Sequence, residues 1–331
     1  MRRAASQADN VLVPVRVAQN LLRRSWQARH SDIAACRRLA ALAVAIADQT
    51  ADADLQAEAY AHLGNAERLC TRHHAAEDAL NLAEARWASG SRAPSTAALL
   101  WEFRGSLFES VRDFESAIRA LRVAERYRCQ IGDPEGIAKV NVKLGIVLGL
   151  GGDSHGAIKH LRSAIRTTAS EDLLRFAVQP LLRFLTEAGE AEAALIVLRQ
   201  CAGLIHNGSP LYTLKVAWHQ GKIDLALGTF EAAGQIFMEV RDHYLHRGMA
   251  MEAALVSLDL AVSYARLRRR DKVKAVASEI EPLFQALGIG PEAAAARLLR
   301  EVCEAEDVEA ALDRTAAALL ENNTGPGLPA A

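Results

Sequence analysis

The stretch WEFRGSLFESVRDFESAIRALRVA, Trp101 to Ala124, carries the pattern that decides the fold. Its apolar residues recur three and four positions apart, which predicts two helices joined by a short polar turn. Gly105 stands late in the first helix, and Ala117 stands twelve residues later, in the second. Small residues at these two places let antiparallel helices cross closely, while Leu121 fills the space beside the crossing.

The same pattern recurs along the chain. We call the residue at the place of Gly105 the crossing residue of its helix pair and number nearby positions from it. The crossing residues and their partners twelve positions later are Gly64 with Ala76, Gly105 with Ala117, Gly145 with Ala157, Leu182 with Ala194, Gly221 with Ala233, and Ala261 with Val273. Successive crossing residues are 37 to 41 positions apart. Since one helix pair cannot bury both its faces, such repeats stack into an array.

This pattern resembles the tetratricopeptide repeat (TPR), whose first helix carries a large residue and then leucine–glycine, and whose second carries alanine, a large apolar residue and alanine. The matching residues of one pair are Trp101, Gly105, Phe108, Ala117, Leu121 and Ala124. The period of about 40 is longer than the family's usual ~34 and resembles that of bacterial long-period repeats. Over about residues 16–289, the resemblance implies an all-α, right-handed superhelical solenoid of about eight antiparallel helix pairs.

Turn signals divide the chain into segments. Glycines that suit helix ends are followed by prolines that suit the first turn of the next helix. We expect disordered residues at 1–11 and 322–331 on either side of a solenoid at 12–321. The predicted pairs are 12–50, 54–91, 95–133, 135–170, 172–208, 210–248, 250–289 and 292–321.

The composition excludes several classes of protein. Apolar residues make up 50% and charged residues 24%, as in an ordinary folded domain, and the net charge of −1 does not favour a nucleic-acid partner. Five scattered cysteines without a CxxC motif indicate a reducing, cytoplasmic setting. The apolar runs are too short to span a bilayer, so we expect no membrane partner.

No motif predicts catalysis, a cofactor or a metal. The stretch GLGGDSHGA, Gly149 to Ala157, is rich in glycine but has neither a third GxGxxG glycine nor the GK[ST] of a phosphate-binding loop. Since Ala157 is in the register of the repeat, we interpret the stretch as a turn between helices. Histidines and cysteines lack the spacing of a metal site, and no nucleophile motif is present, so we expect no enzyme activity.

A binding groove is predicted from the register, because the first helices of TPR pairs line the concave face. The groove-facing positions are −6, −3, −2 and +1 relative to the crossing residue. The candidate site residues at these positions are Asn65, Phe103, Lys139, Lys143, Phe176, Arg183, Lys215, Trp218, His219 and Lys222. They combine basic side chains with Phe103 and Trp218, which we expect to be exposed, while Glu102 and Asp259 are expected towards the groove ends. We therefore predict a non-catalytic scaffold that binds an acidic peptide or protein segment.

Three alternatives remain open. Asn65, Lys139 and Lys143 fall at three of the five positions with which some TPR proteins clamp a peptide's terminal carboxylate. The basic turn at Arg266 to Lys274 is a second candidate docking surface. The chain could also be a ligand- or peptide-sensing regulatory subunit of a signalling or transcription pathway, as the resemblance to bacterial regulators implies. The sequence does not indicate an oligomeric state.

Overall fold

The computed structural model describes residues 2–286 together with 293, 296 and 297, and the regular elements within them are helices. In chain order they are α1 (Arg2–Ala28), α2 (Ile33–Ala47), α3 (Ala53–Leu69), α4 (His73–Ser89), α5 (Pro94–Ser110), α6 (Phe114–Gln130), α7 (Pro134–Leu150), α8 (Ser154–Thr167), α9 (Glu171–Glu187), α10 (Ala191–Gln200), α11 (Ala202–His206), α12 (Pro210–Ala226), α13 (Phe230–His246), α14 (Ala250–Arg266) and α15 (Arg270–Ala286).

The chain forms two compact units, with the boundary after Ser170. Unit 1 contains the pairs α1/α2, α3/α4, α5/α6 and α7/α8, and each first helix also packs against the second helix of the preceding pair. Unit 2 contains α9/α10, the short α11, and the pairs α12/α13 and α14/α15. The predicted all-α fold of stacked helix pairs is therefore confirmed.

The crossing residues lie where the register predicts. A Cβ added to Gly145 would stand 2.6 Å from Leu161 Cγ and 3.1 Å from the carbonyl oxygen of Ala157. At Gly221 the same added atom would stand 2.5 Å from the ring of Phe237. The backbones of paired helices thus approach so closely that the large residue four positions after the alanine fills the remaining space.

The turns between helices have a common construction. Asp113, Asp133 and Asp153 each accept a hydrogen bond from the backbone N–H three residues later, which caps the helix that follows. In GLGGDSHGA, α7 ends at Leu150, and Gly152 adopts a φ of +93° before the cap at Asp153. The stretch is therefore a helix–helix turn, and its glycine supplies a left-handed backbone conformation.

The N-terminal residues are helical. Helix α1 begins at Arg2, within residues 1–11 that we expected to be disordered. The reason is that alanine, arginine and glutamine in this stretch all favour helix. The predicted eighth pair at 292–321 and the tail at 322–331 lie outside the described residues, apart from 293, 296 and 297. None of the helices within residues 2–286 has the length and apolar character that crossing a membrane requires.

Candidate functional site

The predicted site residues fall into two groups, one on the first helices of each unit. In unit 1, α3 carries Asn65, α5 carries Phe103, and α7 carries Lys139 and Lys143. In unit 2, α9 and α12 carry the remaining candidates, which are Phe176, Arg183, Lys215, Trp218, His219 and Lys222. Each group is described separately below.

The lysines of unit 1 converge on one buried carboxylate. Glu102 on α5 is fully buried, and its Oε1 lies 2.8 Å from Lys139 Nζ and 3.1 Å from Lys143 Nζ. Its Oε2 accepts a hydrogen bond of 3.2 Å from Arg128 on α6. Lys143 also donates to the hydroxyl of Ser106 at 2.8 Å. The prediction that Glu102 lies towards an end of a cationic groove is therefore wrong, since Glu102 is the centre of this charge cluster.

The electrostatics of the cluster keep Glu102 ionised. Burial alone would raise the pKa of the Glu102 carboxyl, but Lys143, Lys139 and Arg128 outweigh burial and hold that pKa far below its ordinary range. Burial lowers the pKa of the Lys143 ammonium, and the attraction of Glu102 offsets part of this effect. The charges of both lysines are thus largely neutralised by an ion pair within the protein.

An aromatic cluster lies beside these charges. The ring centroid of Phe103 is 5.9 Å from that of Trp26 and 5.6 Å from that of His62. Phe103 is only 1% exposed, so the prediction that it is an exposed anchor is wrong. Lys139 Nζ lies 4.7 Å from the centroid of the Trp26 ring, close enough for a cation–π contact. Burial, and then the charge of Lys139, lowers the pKa of His62 to about 4.

Trp26 is a residue of this face that the sequence reasoning missed. It is half-buried and is contributed by α1, the first helix of the divergent first pair. The preceding residue, Ser25, lies 39 positions before Gly64 and donates a hydrogen bond of 2.8 Å to the carbonyl of Cys36 on α2. Ser25 thus lies at the helix crossing of the first pair, with its partner Cys36 eleven rather than twelve positions later, and extending the register by 39 positions would have placed Trp26 at position +1.

The remaining candidate of unit 1 already has a partner. Asn65 is 6% exposed, and its side-chain oxygen accepts hydrogen bonds from Arg68 Nε at 3.2 Å and Nη2 at 3.0 Å. With Lys139 and Lys143 bound to Glu102, all three residues suggested by the clamp pattern have partners within the protein. This face therefore presents fewer free hydrogen-bonding groups than the sequence indicated.

In unit 2, a tryptophan and a lysine share one carboxylate. Trp218 Nε1 donates a hydrogen bond of 2.6 Å to Asp259 Oδ2 on α14, and Lys222 Nζ lies 3.4 Å from the same oxygen. Lys222 also lies 5.0 Å from the Trp218 ring centroid. Trp218 is half-buried and packs edge-on against Tyr244 at 6.4 Å. Asp259, expected near a groove end, therefore pairs with the site residues.

The other candidate residues of unit 2 have fewer contacts with charged partners on other helices. Phe176 is 51% exposed. Arg183 Nε donates to Glu187 at 2.6 Å along the same helix. Lys215 forms no ion pair with any residue of the described chain, whereas most of the other predicted basic residues do. Burial, followed by repulsion from Lys222 and Arg183, lowers the pKa of His219 to about 3, so this imidazole is neutral near pH 7.

The basic turn at Arg266 to Lys274 also has internal partners. Arg269 pairs with Glu231 on α13, and Lys272 Nζ lies 5.0 Å from the ring centroid of Tyr264. Within the described residues there is no group of three or more His, Cys, Asp and Glu side chains that could hold a metal ion. The described residues of both units thus provide charged and aromatic contact surfaces.

Comparison with known proteins supports the fold. No protein-family model and no curated protein sequence matches the chain. Among solved structures, the apo form of RapI has a TM-score of 0.70 at 11% identity, covering 92% of this chain and 86% of its own. A Rap protein complexed with Competence and Sporulation Factor has 0.68 at 12%, covering 94% and 88%. NprR in complex with its cognate peptide NprX has 0.61 at 15%, covering 91% and 88%. The chain is a TPR-like helical-repeat protein.

Proposed function

We propose that this protein is a non-catalytic scaffold that binds a peptide or protein segment on the first helices of its repeat pairs. The observation that carries the proposal is in unit 2, where Phe176 is 51% exposed and Lys215 has no ion pair within the described residues. Both stand at position −6, on the adjacent helices α9 and α12, which pack against each other. An exposed aromatic ring, together with a cation on the adjacent helix that has no ion pair, is typical of an interaction surface.

The partner segment we propose combines an apolar side chain with an acidic one. The apolar side chain would cover Phe176, and the carboxylate would face Lys215. In unit 1, Lys139 and Lys143 contribute less to such recognition, because Glu102 already lies within about 3 Å of both. The acidic preference that we inferred from five basic residues therefore rests mainly on Lys215.

A second candidate function is a peptide-sensing regulatory subunit. Two of the similar structures are complexes: one Rap protein is complexed with Competence and Sporulation Factor, and NprR with its cognate peptide NprX. At 12% and 15% identity the likeness concerns the fold, so the proposal for this chain rests on the exposed surface of unit 2.

A displayed library of random peptides tests the proposed function. The wild-type protein should enrich peptides that contain an apolar residue near Asp or Glu, and the double variant F176A/K215E should enrich none of them. The matched control is I196A/K159E, because Ile196 is about as exposed as Phe176, Lys159 is an exposed lysine, and both lie on second helices. Equal enrichment by F176A/K215E and wild type, with both variants folded by circular dichroism, would show that this surface is not the binding site.

A further inference from the structure

His219 stands between two lysines on the first helix of a pair. Lys215 is four residues before it and Lys222 three residues after it, so all three side chains share one face of α12. Arg183, on the neighbouring α9, is close enough to act electrostatically on His219. Since only part of the imidazole is accessible to solvent and protein surrounds the rest, His219 lies in a recess of this face.

Only some of the charged groups around His219 have an ion-pair partner within the described residues. Lys222 is paired with Asp259 on α14, at 3.4 Å, and Arg183 with Glu187, at 2.6 Å. Lys215 forms no ion pair, and the His219 ring forms no hydrogen bond, with any residue of the described chain. Tyr244 on α13 is the titratable group behind Trp218 and is fully buried. Within the described residues, the recess therefore holds one lysine without an ion pair and one imidazole without a hydrogen bond.

We propose that Lys215 and His219 form an anion subsite that binds a carboxylate of the partner segment, and that His219 takes up a proton from solvent when the carboxylate binds. The ring nitrogens of His219 are accessible to solvent, so this imidazole and the neighbouring ammonium, which has no ion pair within the described residues, can both donate to an acceptor from outside the chain. The inference rests on the proposed function and specifies its chemistry: a side chain of Asp or Glu, with both subsite residues donating to its oxygens.

Proton uptake follows from the electrostatics of the recess. In the free protein, burial and the charges of Lys222 and Arg183 keep the imidazole neutral, with a pKa of about 3. A carboxylate within 4–6 Å favours the charged imidazole and typically moves such a pKa upwards by roughly 1–3 units, which is at most to about 6. The bound form then holds the proton more tightly. Affinity is therefore nearly constant above the pKa of the bound form and rises as the pH falls below it, by up to about tenfold per pH unit.

Nuclear magnetic resonance of the full chain tests the subsite without any partner. The His219 Cε1–H signal, assigned by its loss in H219Q, is followed in acetate and inorganic phosphate titrations between pH 5.0 and 7.5. Acetate should move the signal towards the position of a protonated imidazole, more strongly at the lower pH. K215M should abolish the movement, and K159M, at an exposed lysine on α8, should retain it.

The outcomes separate the subsite from the proposed function. A signal that stays in place with acetate, or moves equally in K215M and wild type, overturns the subsite. Movement with phosphate but not acetate overturns the assignment of a carboxylate. If acetate moves the signal while the peptide library enriches nothing, the subsite stands and the scaffold proposal fails. If the library enriches peptides but their affinity does not rise between pH 7.5 and 5.0, proton uptake at His219 is refuted.

Discussion

Replacing Glu102 by glutamine should destabilise the protein strongly, because it leaves buried cations without their carboxylate. The carboxylate has three cationic groups at 2.8, 3.1 and 3.2 Å, and the residue is fully buried. At an effective dielectric constant of about 20, each contact contributes roughly 5 kcal/mol of gross attraction, and desolvation cancels most of it. Removing one partner of such a cluster typically costs about 3–5 kcal/mol, which we expect for E102Q.

Urea unfolding of E102Q and of two further variants measures this coupling. E115Q is the matched control, because Glu115 pairs with Arg119 at 3.5 Å on the exposed face of α6 and should contribute at most about 0.5 kcal/mol. The double variant E102Q/K143M should recover part of the loss, since it also removes the lysine whose charged form burial disfavours. The single variant should regain stability from pH 7 to pH 9–10, because Lys143 can then lose its proton as folding favours.

Two results would refute the reasoning. If E102Q lies within about 1 kcal/mol of wild type, the cluster is solvated well enough for water to replace the carboxylate. If E102Q/K143M is no more stable than E102Q, the two side chains are not coupled. Either result would return Lys139 and Lys143 to the set of charges that are free to bind a partner.

Three further substitutions have defined outcomes in urea unfolding. G145A should cost about 1–3 kcal/mol because the new methyl would stand 2.6 Å from Leu161 Cγ, whereas G203A, with no atom within 4 Å, should cost nothing. T71G should gain up to about 1 kcal/mol, since Thr71 holds a φ of +57° that glycine adopts without strain; a loss would contradict this. Between pH 8 and pH 5 the free energy of unfolding of the wild type should fall by up to about 2 kcal/mol more than that of H219Q. The reason is that the unfolded imidazole gains a proton that the folded one does not. Equal losses in the two proteins would be evidence against a neutral His219 in the folded state.

The helix pairs could be predicted because their signal is local and repeated. A glycine or alanine at a crossing is fixed by the distance between two backbones, so it recurs wherever the pair recurs. The contact of Gly145 with Leu161, and that of Gly221 with Phe237, confirm this register directly. Side chains that alternate with the period of a helix then place the core without further information.

Which charged side chains of the predicted groove have partners within the protein could not be predicted in the same way. Four positions of each first helix were treated as facing solvent, but residues at each of the four contact a neighbouring pair. Glu102 at −3 contacts Lys143 at −2 of the following pair, and Trp218 at −3 contacts Asp259 at −2 of its own following pair. Contacts between repeats join residues about 41 positions apart, which a search within one repeat does not compare.

The two units put different chemistry at one structural position. In the third pair, the residue at −3 is the acid Glu102, and the next pair supplies the base Lys143. In the sixth pair the residue at −3 is Trp218, and the next pair supplies the acid Asp259. Position −6 joins pairs in the same way where Lys139 binds Glu102, and position +1 does so where Lys222 binds Asp259. These contacts leave two −6 residues of unit 2 available, Phe176, which is 51% exposed, and the half-buried Lys215, which has no ion pair within the described residues, so a binding site on unit 2 should be sought there first.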